Sequence, residues 1–197
     1  LNKAIVKCST PYIIMSDGDC IPRADFVETH LKLKKENSFL SGGYFKLPLY
    51  ISETISKDDI QSQRCFNKDW LLEQGLKKSF KINKLTASGF KEQFLNTMTP
   101  TKATFDGMNV SVWKHDVVEV NGFDERMAYG GEDRELGERL MNLGIKPIQI
   151  RYSAICLHLD HERSYVNEAA LNNNKSIRKA TKKHKCIWTD FGLIQNS

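Results

Sequence analysis

The chain has 197 residues, 40% of them hydrophobic and 27% charged, with a formal net charge of +5. That length is enough to bury a real core, the composition argues against a disordered chain, and no stretch approaches the roughly 20 apolar residues of a membrane span. Cys8, Cys20, Cys65, Cys156 and Cys186 are scattered, with no Cys-x-x-Cys pair. This argues against a zinc ribbon or a disulfide framework and predicts free thiols in a reducing compartment.

The first residues read as the tail of a helix already under way, so the sequence is taken as an N-terminally truncated segment forming one domain over residues 1–197. Pro11 breaks that helix. The run Tyr12-Ile13-Ile14-Met15 is continuously apolar, which predicts a strand buried on both faces of a parallel sheet. It leads straight into Asp17-Gly18-Asp19. Carboxylates at the carboxyl end of such a strand lie where open α/β sheets put ligands. They suit a divalent cation whose remaining positions take phosphate oxygens; an Asp-Gly-Asp turn capping the next helix explains them equally well. Pro22 then predicts a helix over 23–36, and 38–47 reads as one strand in which Gly42-Gly43 marks a bulge or a close backbone approach. Helices are expected over 60–66 and 67–80, the second capped by Asn67. Residues 81–102 show no strong period and read as a mobile loop.

A strand is predicted over 108–112 and a short helix over 114–120, closed by Asn121-Gly122. Gly130-Gly131-Glu132-Asp133 opens a helix over 132–143, with Leu136, Leu140 and Leu143 on one face and Gly144 following. The glycines permit close backbone approach to a ligand. A carboxylate at that helix start can take a proton from a substrate hydroxyl, although acidic residues in a first turn also complement the helix dipole without any function. Strands follow over 147–151 and 154–159. At the end of the second, His158, Asp160, His161, Glu162 and Arg163 crowd together. Imidazoles suit a transition metal such as manganese or zinc, and Arg163 suits either a phosphate or a surface ion pair. A polar to basic helix is predicted over about 165–185. Its cluster of Lys175, Arg178, Lys179, Lys182, Lys183 and Lys185 reads as a solvated face or as a contact with an anionic membrane surface. Nucleic acid is not an expected partner, because no aromatic residues interleave the charges. Strands alternating with helices predict an α/β domain with a mainly parallel central sheet flanked by helices.

Taken in order, these pieces resemble the GT-A nucleotide-sugar glycosyltransferases, in particular family 2 enzymes and the related beta-1,4-galactosyltransferases and chondroitin-type polymerases. Asp17-Gly18-Asp19 is similar to their D-x-D element, and Gly130-Gly131-Glu132-Asp133 to their G-G-E-D helix. Gly107-Met108-Asn109-Val110-Ser111 and Asn121-Gly122-Phe123-Asp124-Glu125 look like the segments leading into the acceptor site. The resemblance implies a GT-A fold lacking its N-terminal nucleotide-binding strand, with an exposed edge that promotes self-association. It also implies inverting transfer from a UDP-sugar, of galactose or N-acetylhexosamine type, to a glycan or glycolipid acceptor, in the cytoplasm or at the inner membrane face. Asp19 and His158, joined by Asp17, would hold Mn2+ or Mg2+ against the diphosphate, and Asp133 would be the general base. Asp124 and Glu132 would hold sugar hydroxyls, Gly130 and Gly131 would let the backbone approach, Tyr129 would form a stacking wall, and Arg163 would meet phosphate. A non-catalytic nucleotide-sugar or carbohydrate binding fragment is the competing expectation.

Overall fold

The computed structural model describes residues 1–162 and 167–195. Its first half contains helix α1 (Asn2–Lys7), strands β1 (Tyr12–Met15) and β2 (Cys20–Pro22), helix α2 (Phe26–Leu33), and strands β3 (Ser38–Ser41) and β4 (Gly43–Lys46). Five helices follow: α3 (Leu49–Ser52), α4 (Lys57–Gln61), α5 (Lys68–Glu73), α6 (Asn83–Thr86) and α7 (Gly89–Met98). The second half runs β5 (Val110–Trp113), α8 (Lys114–Glu119), α9 (Glu132–Leu143), β6 (Lys146–Gln149), β7 (Ile155–His158) and α10 (Glu168–His184). Among the described residues no helix is long and apolar enough to cross a membrane.

The strands form two sheets, ordered β1-β5-β3-β6 and β2-β7-β4. The fold is α/β, but the expectation of a mainly parallel sheet is corrected. Only β3–β6 and β4–β7 are parallel, whereas β1–β5, β3–β5 and β2–β7 run antiparallel. Parallel pairing needs a long crossover, and the segment carrying β6 and β7 returns beside that carrying β3 and β4 only after about half of the chain has intervened. The apolar run of β1 misled the sequence reading because β1 is an edge strand. Only Tyr12 is buried in it; Ile13 and Met15 pack on one side against a core built from β5, α8 and α9.

Residues 38–47 are likewise two strands, not one, and the chain passes from one sheet to the other at Gly42. The glycine pair is there for close approach, as its sequence suggests. A Cβ at Gly42 would lie 1.9 Å from Asn109 Oδ1, and one at Gly43 would lie 2.0 Å from the Arg151 carbonyl. The stretch 81–102, expected as a loop, contains α6 and α7. Phe90, Phe94 and Met98 recur every four residues on α7, a helical spacing that the expectation of a loop passed over, although all three stand exposed.

Helix α9 spans the predicted residues, bounded by Gly131 and Gly144, both in the left-handed region. Leu136 and Leu140 are fully buried, each contributing about 1.5–3 kcal/mol by leaving water. Beside them Arg139 is completely buried. It donates to the Glu135 carboxylate at 2.8–2.9 Å and to the carbonyls of Val120 and Gly122 that follow α8. Thr181 of α10 donates to the same carboxylate at 2.8 Å. One ion pair thereby ties α8, α9 and α10 together. On α10, Arg178 and Lys182 pair with Glu138 of α9, so part of the basic cluster is engaged in packing this helix.

Candidate active site

Three loops converge at the carboxyl ends of β1 and β7 and the start of α9. The first, after β1, carries Asp17 and Asp19. The β2–β7 pairing sets Cys20 opposite His158, and the Leu159 N–H donates to the Asp19 carbonyl at 2.9 Å. These bonds hold the Asp19 carboxylate over the end of β7. There its Oδ2 lies 3.3 Å from His158 Nε2 and 2.9 Å from His161 Nε2. His158 is buried, with Tyr44 tilted against its ring at 6.0 Å between centroids.

The second loop carries Asp106 and Gly107. The Gly107 N–H donates to Asp133 Oδ2 at 2.9 Å. A Cβ on Gly107 would lie 3.7 Å from the Asp133 Cβ and 3.9 Å from Asp17 Oδ1, so these two carboxylates flank one glycine. Burial raises the affinity of Asp17 for its proton, and Asp19, Asp106, Asp133 and Glu132 raise it further by repulsion. Asp106 is raised too, by burial and then by Asp133, with Arg134 at 3.6 Å acting against it. A group of carboxylates that repel one another within one cleft attracts a cation.

The third loop is the entry to α9. Gly130 and Gly131 adopt φ of 112° and 94°, and the Gly130 N–H donates to Glu132 Oε2 at 2.7 Å. Asn174 of α10 donates to the carbonyls of Ala128, Tyr129 and Gly130 at 3.0–3.4 Å. Tyr129 stands partly exposed and lines one groove with Glu132.

Asp17, Asp19, Glu132, Asp133 and His158 of the predicted set are therefore brought together. Asp124 is a correction. It is buried, Arg126 and Thr189 occupy both its oxygens at 2.6–3.1 Å, and those contacts hold its carboxyl below the ordinary range despite burial. It fastens the loop and has no oxygen to spare for a sugar hydroxyl. Arg163 lies outside the described residues.

The sequence reading left His161 out of the metal set, although the His-x-x-His spacing at a strand end was the signal available. Among the described residues no group of three or more His, Cys, Asp or Glu is spaced to hold a metal ion; Asp19 bonds to the imidazoles directly. The donor set of one carboxylate and two imidazole nitrogens nonetheless suits a divalent transition metal better than magnesium, which prefers oxygen.

Nor did the sequence reveal what lies behind this cleft. His30 is fully buried, with Nε2 2.9 Å from Asn109 Oδ1 and Nδ1 2.7 Å from Ser111 Oγ, which Tyr12 reaches at 2.8 Å. Asn109 Nδ2 donates to the carbonyls of Gly43 and Ala154 at 2.7 and 3.0 Å. Because Asn109 Oδ1 can only accept, His30 carries its proton on Nε2 and accepts from Ser111. The network joins β1, β5, α2, β4 and the turn that leads into β7.

No curated protein matches the chain. Residues 88–162, which include Gly107, the whole Tyr129–Asp133 entry to α9 and both His158 and His161, match the family model described as the N-terminal domain of galactosyltransferase, and the chain thus carries a galactosyltransferase-like segment.

Proposed function

We propose that the chain transfers a sugar from a nucleoside diphosphate donor, of UDP-sugar type, to a hydroxyl of a glycan acceptor, with inversion at the anomeric carbon. The observation that carries this reading is the meeting of Asp17 and Asp133 across Gly107, with Asp19 beside them against two imidazoles. One wall can hold a cation and the diphosphate attached to it. The opposite wall offers a carboxylate to an incoming hydroxyl.

Asp133 is the general base. It takes the acceptor's proton while the acceptor oxygen bonds to the anomeric carbon and the bond to the diphosphate oxygen breaks. The Gly107 N–H fixes its orientation. Asp19, His158 and His161 would hold a divalent cation, manganese in preference to magnesium, and such an ion supplies positive charge against the leaving diphosphate. Glu132 and Tyr129 line the groove next to the base and are assigned to sugar contacts, with Gly130 and Gly131 giving the backbone close access.

The test is transfer and donor hydrolysis with manganese for wild type, Asp133→Asn and Asp19→Ala. Loss of the base is expected to lower kcat by about 10²–10⁴-fold while UDP binding persists. Asp19→Ala is expected to abolish manganese-dependent UDP binding. Undiminished turnover in both variants overturns the assignment, and UDP binding without turnover in wild type favours the non-catalytic binding module.

A further inference from the structure

Beside the carboxylate cluster lies a cavity of about 470 Å3, within the range of volumes, about 300–1,000 Å3, that take small-molecule ligands. Its wall carries Lys46, Lys81, Lys84, Lys102, Arg134 and Arg151, and a single carboxylate, Asp106. Lys46 is paired with Asp160 at 3.0 Å and Arg134 with Asp106. Among the described residues Lys81, Lys84, Lys102 and Arg151 have no carboxylate within ion-pair distance. Lys84 is the one most enclosed. Its ammonium donates to the Tyr44 carbonyl at 2.8 Å and sits 5.1 Å from the centre of that ring. Burial, then the nearby charges of Arg151 and Lys81, push it down to about 8. Like charges gathered in a recess repel one another unless an anion joins them.

The cavity does not include Asp17, Asp19, His158 or His161. One end adjoins His158 through Tyr44 and Lys46, and the other reaches the carboxylate cluster at Asp106 and at Arg134, the residues next to Gly107 and Asp133. An occupant held at the Asp106–Arg134 end therefore lies beside the base, and the base faces the acceptor.

We propose that this cavity receives a carboxylate or sulfate of the acceptor, so that the acceptor is an acidic glycan bearing that oxyanion close to the hydroxyl that reacts. This inference rests on the transfer reading above. A neutral acceptor would leave these cations without a counter-anion. An acidic one brings charge-assisted hydrogen bonds and electrostatic steering toward Asp133.

The experiment is titration of the full chain with a uronate-bearing tetrasaccharide, a sulfated tetrasaccharide, their neutral carboxyl-reduced or desulfated counterparts, and UDP with manganese. The same titrations are repeated for Lys84→Gln and for the exposed Lys102→Gln, which guards against a folding defect at Lys84. The acidic sugars are expected to bind with salt-sensitive affinity and the neutral ones at least tenfold more weakly. Each variant is expected to lose about tenfold for the acidic sugars, the size of one charge-assisted hydrogen bond, and nothing for UDP. Equal affinity for acidic and neutral sugars overturns the proposal. So does mutual exclusion of UDP and the acidic sugar relieved in Lys84→Gln, which would make the cavity the donor's diphosphate site. Acidic-sugar binding through Lys84 without transfer would sink the transfer reading and keep this one; transfer to neutral acceptors at full rate in both variants would do the reverse.

Discussion

Replacing Asn109 by alanine is expected to destabilise the protein far more than loss of one surface amide would. The substitution leaves the His30 Nε2–H with no acceptor in a fully buried position, and removes a donor from the carbonyls of Gly43 and Ala154. A buried donor left unsatisfied costs about 1–3 kcal/mol, and each hydrogen bond lost adds about 1 kcal/mol net. The Ala154 carbonyl keeps its bond from the Gly43 N–H at 2.8 Å, so its loss is the smallest of the three. The sum is about 2–5 kcal/mol, a large part of the roughly 5–15 kcal/mol that holds a domain folded. For a chain of this size it lowers Tm by about 4–20 °C. Urea denaturation read by circular dichroism measures it. The double variant Asn109→Ala with His30→Leu removes the stranded donor together with its acceptor, so the two changes are expected to couple by about 1 kcal/mol or more. A loss below about 1 kcal/mol in Asn109→Ala, or strict additivity in the double variant, would refute the reasoning.

Because burial lowers the proton affinity of His30, the unfolded chain takes up a proton near pH 6.5 that the folded chain refuses. Stability is accordingly expected to fall as pH drops below about 6.5, by up to about 1.4 kcal/mol per pH unit from this one group. Urea midpoints from pH 8 to pH 5 check this, and His30→Gln should flatten the slope in that window. Arg139→Met leaves the Glu135 carboxylate buried without its cation and is expected to cost about 3–5 kcal/mol, read by the same denaturation; an unchanged midpoint would contradict it. Asn174→Ala frees the carbonyls of Ala128, Tyr129 and Gly130, and hydrogen exchange at 128–131 is expected to quicken while the amides of β5 and β7 keep their protection. Gly42→Ala would drive a methyl into Asn109 Oδ1, and overpacking of that kind costs about 1–3 kcal/mol on the same denaturation scale.

Much of this arrangement was legible in the sequence where local chemistry decides. The strand over Tyr12–Met15, the Asn67 cap and α9 between its two glycines all follow from residues that touch their own neighbours. What could not be read was pairing. An apolar run tells how much of a strand is buried but not which strand lies beside it, so an edge strand looked like a central one and two sheets looked like one. At the site, the residue types at Asp17, Asp19, Asp133 and His158 were visible as chemistry. Asp124 was misjudged because its partners, Arg126 and Thr189, include one 65 residues away. The partners of His30, Asn109 and Asn174 could not be read, since a buried polar residue is defined by its partners and those come from distant parts of the chain. Asn174 stands in the run Asn172-Asn173-Asn174, and nothing in that run marks which of the three amides is buried.

The switch of sheets at Gly42 has a mechanical consequence. Residues 38–46 run beside residues 146–158 twice in succession, first in one sheet and then in the other, like two rails fixed to the same pair of sleepers. A swing of one sheet against the other has to bend both crossings at once, at Gly42 and over 150–154, and strains the bonds that tie Gly43, Ala154 and Asn109 together on that line. Whatever gape the cleft needs in order to admit a sugar and let the product go must come from the loops at its mouth, with the platform beneath them staying rigid.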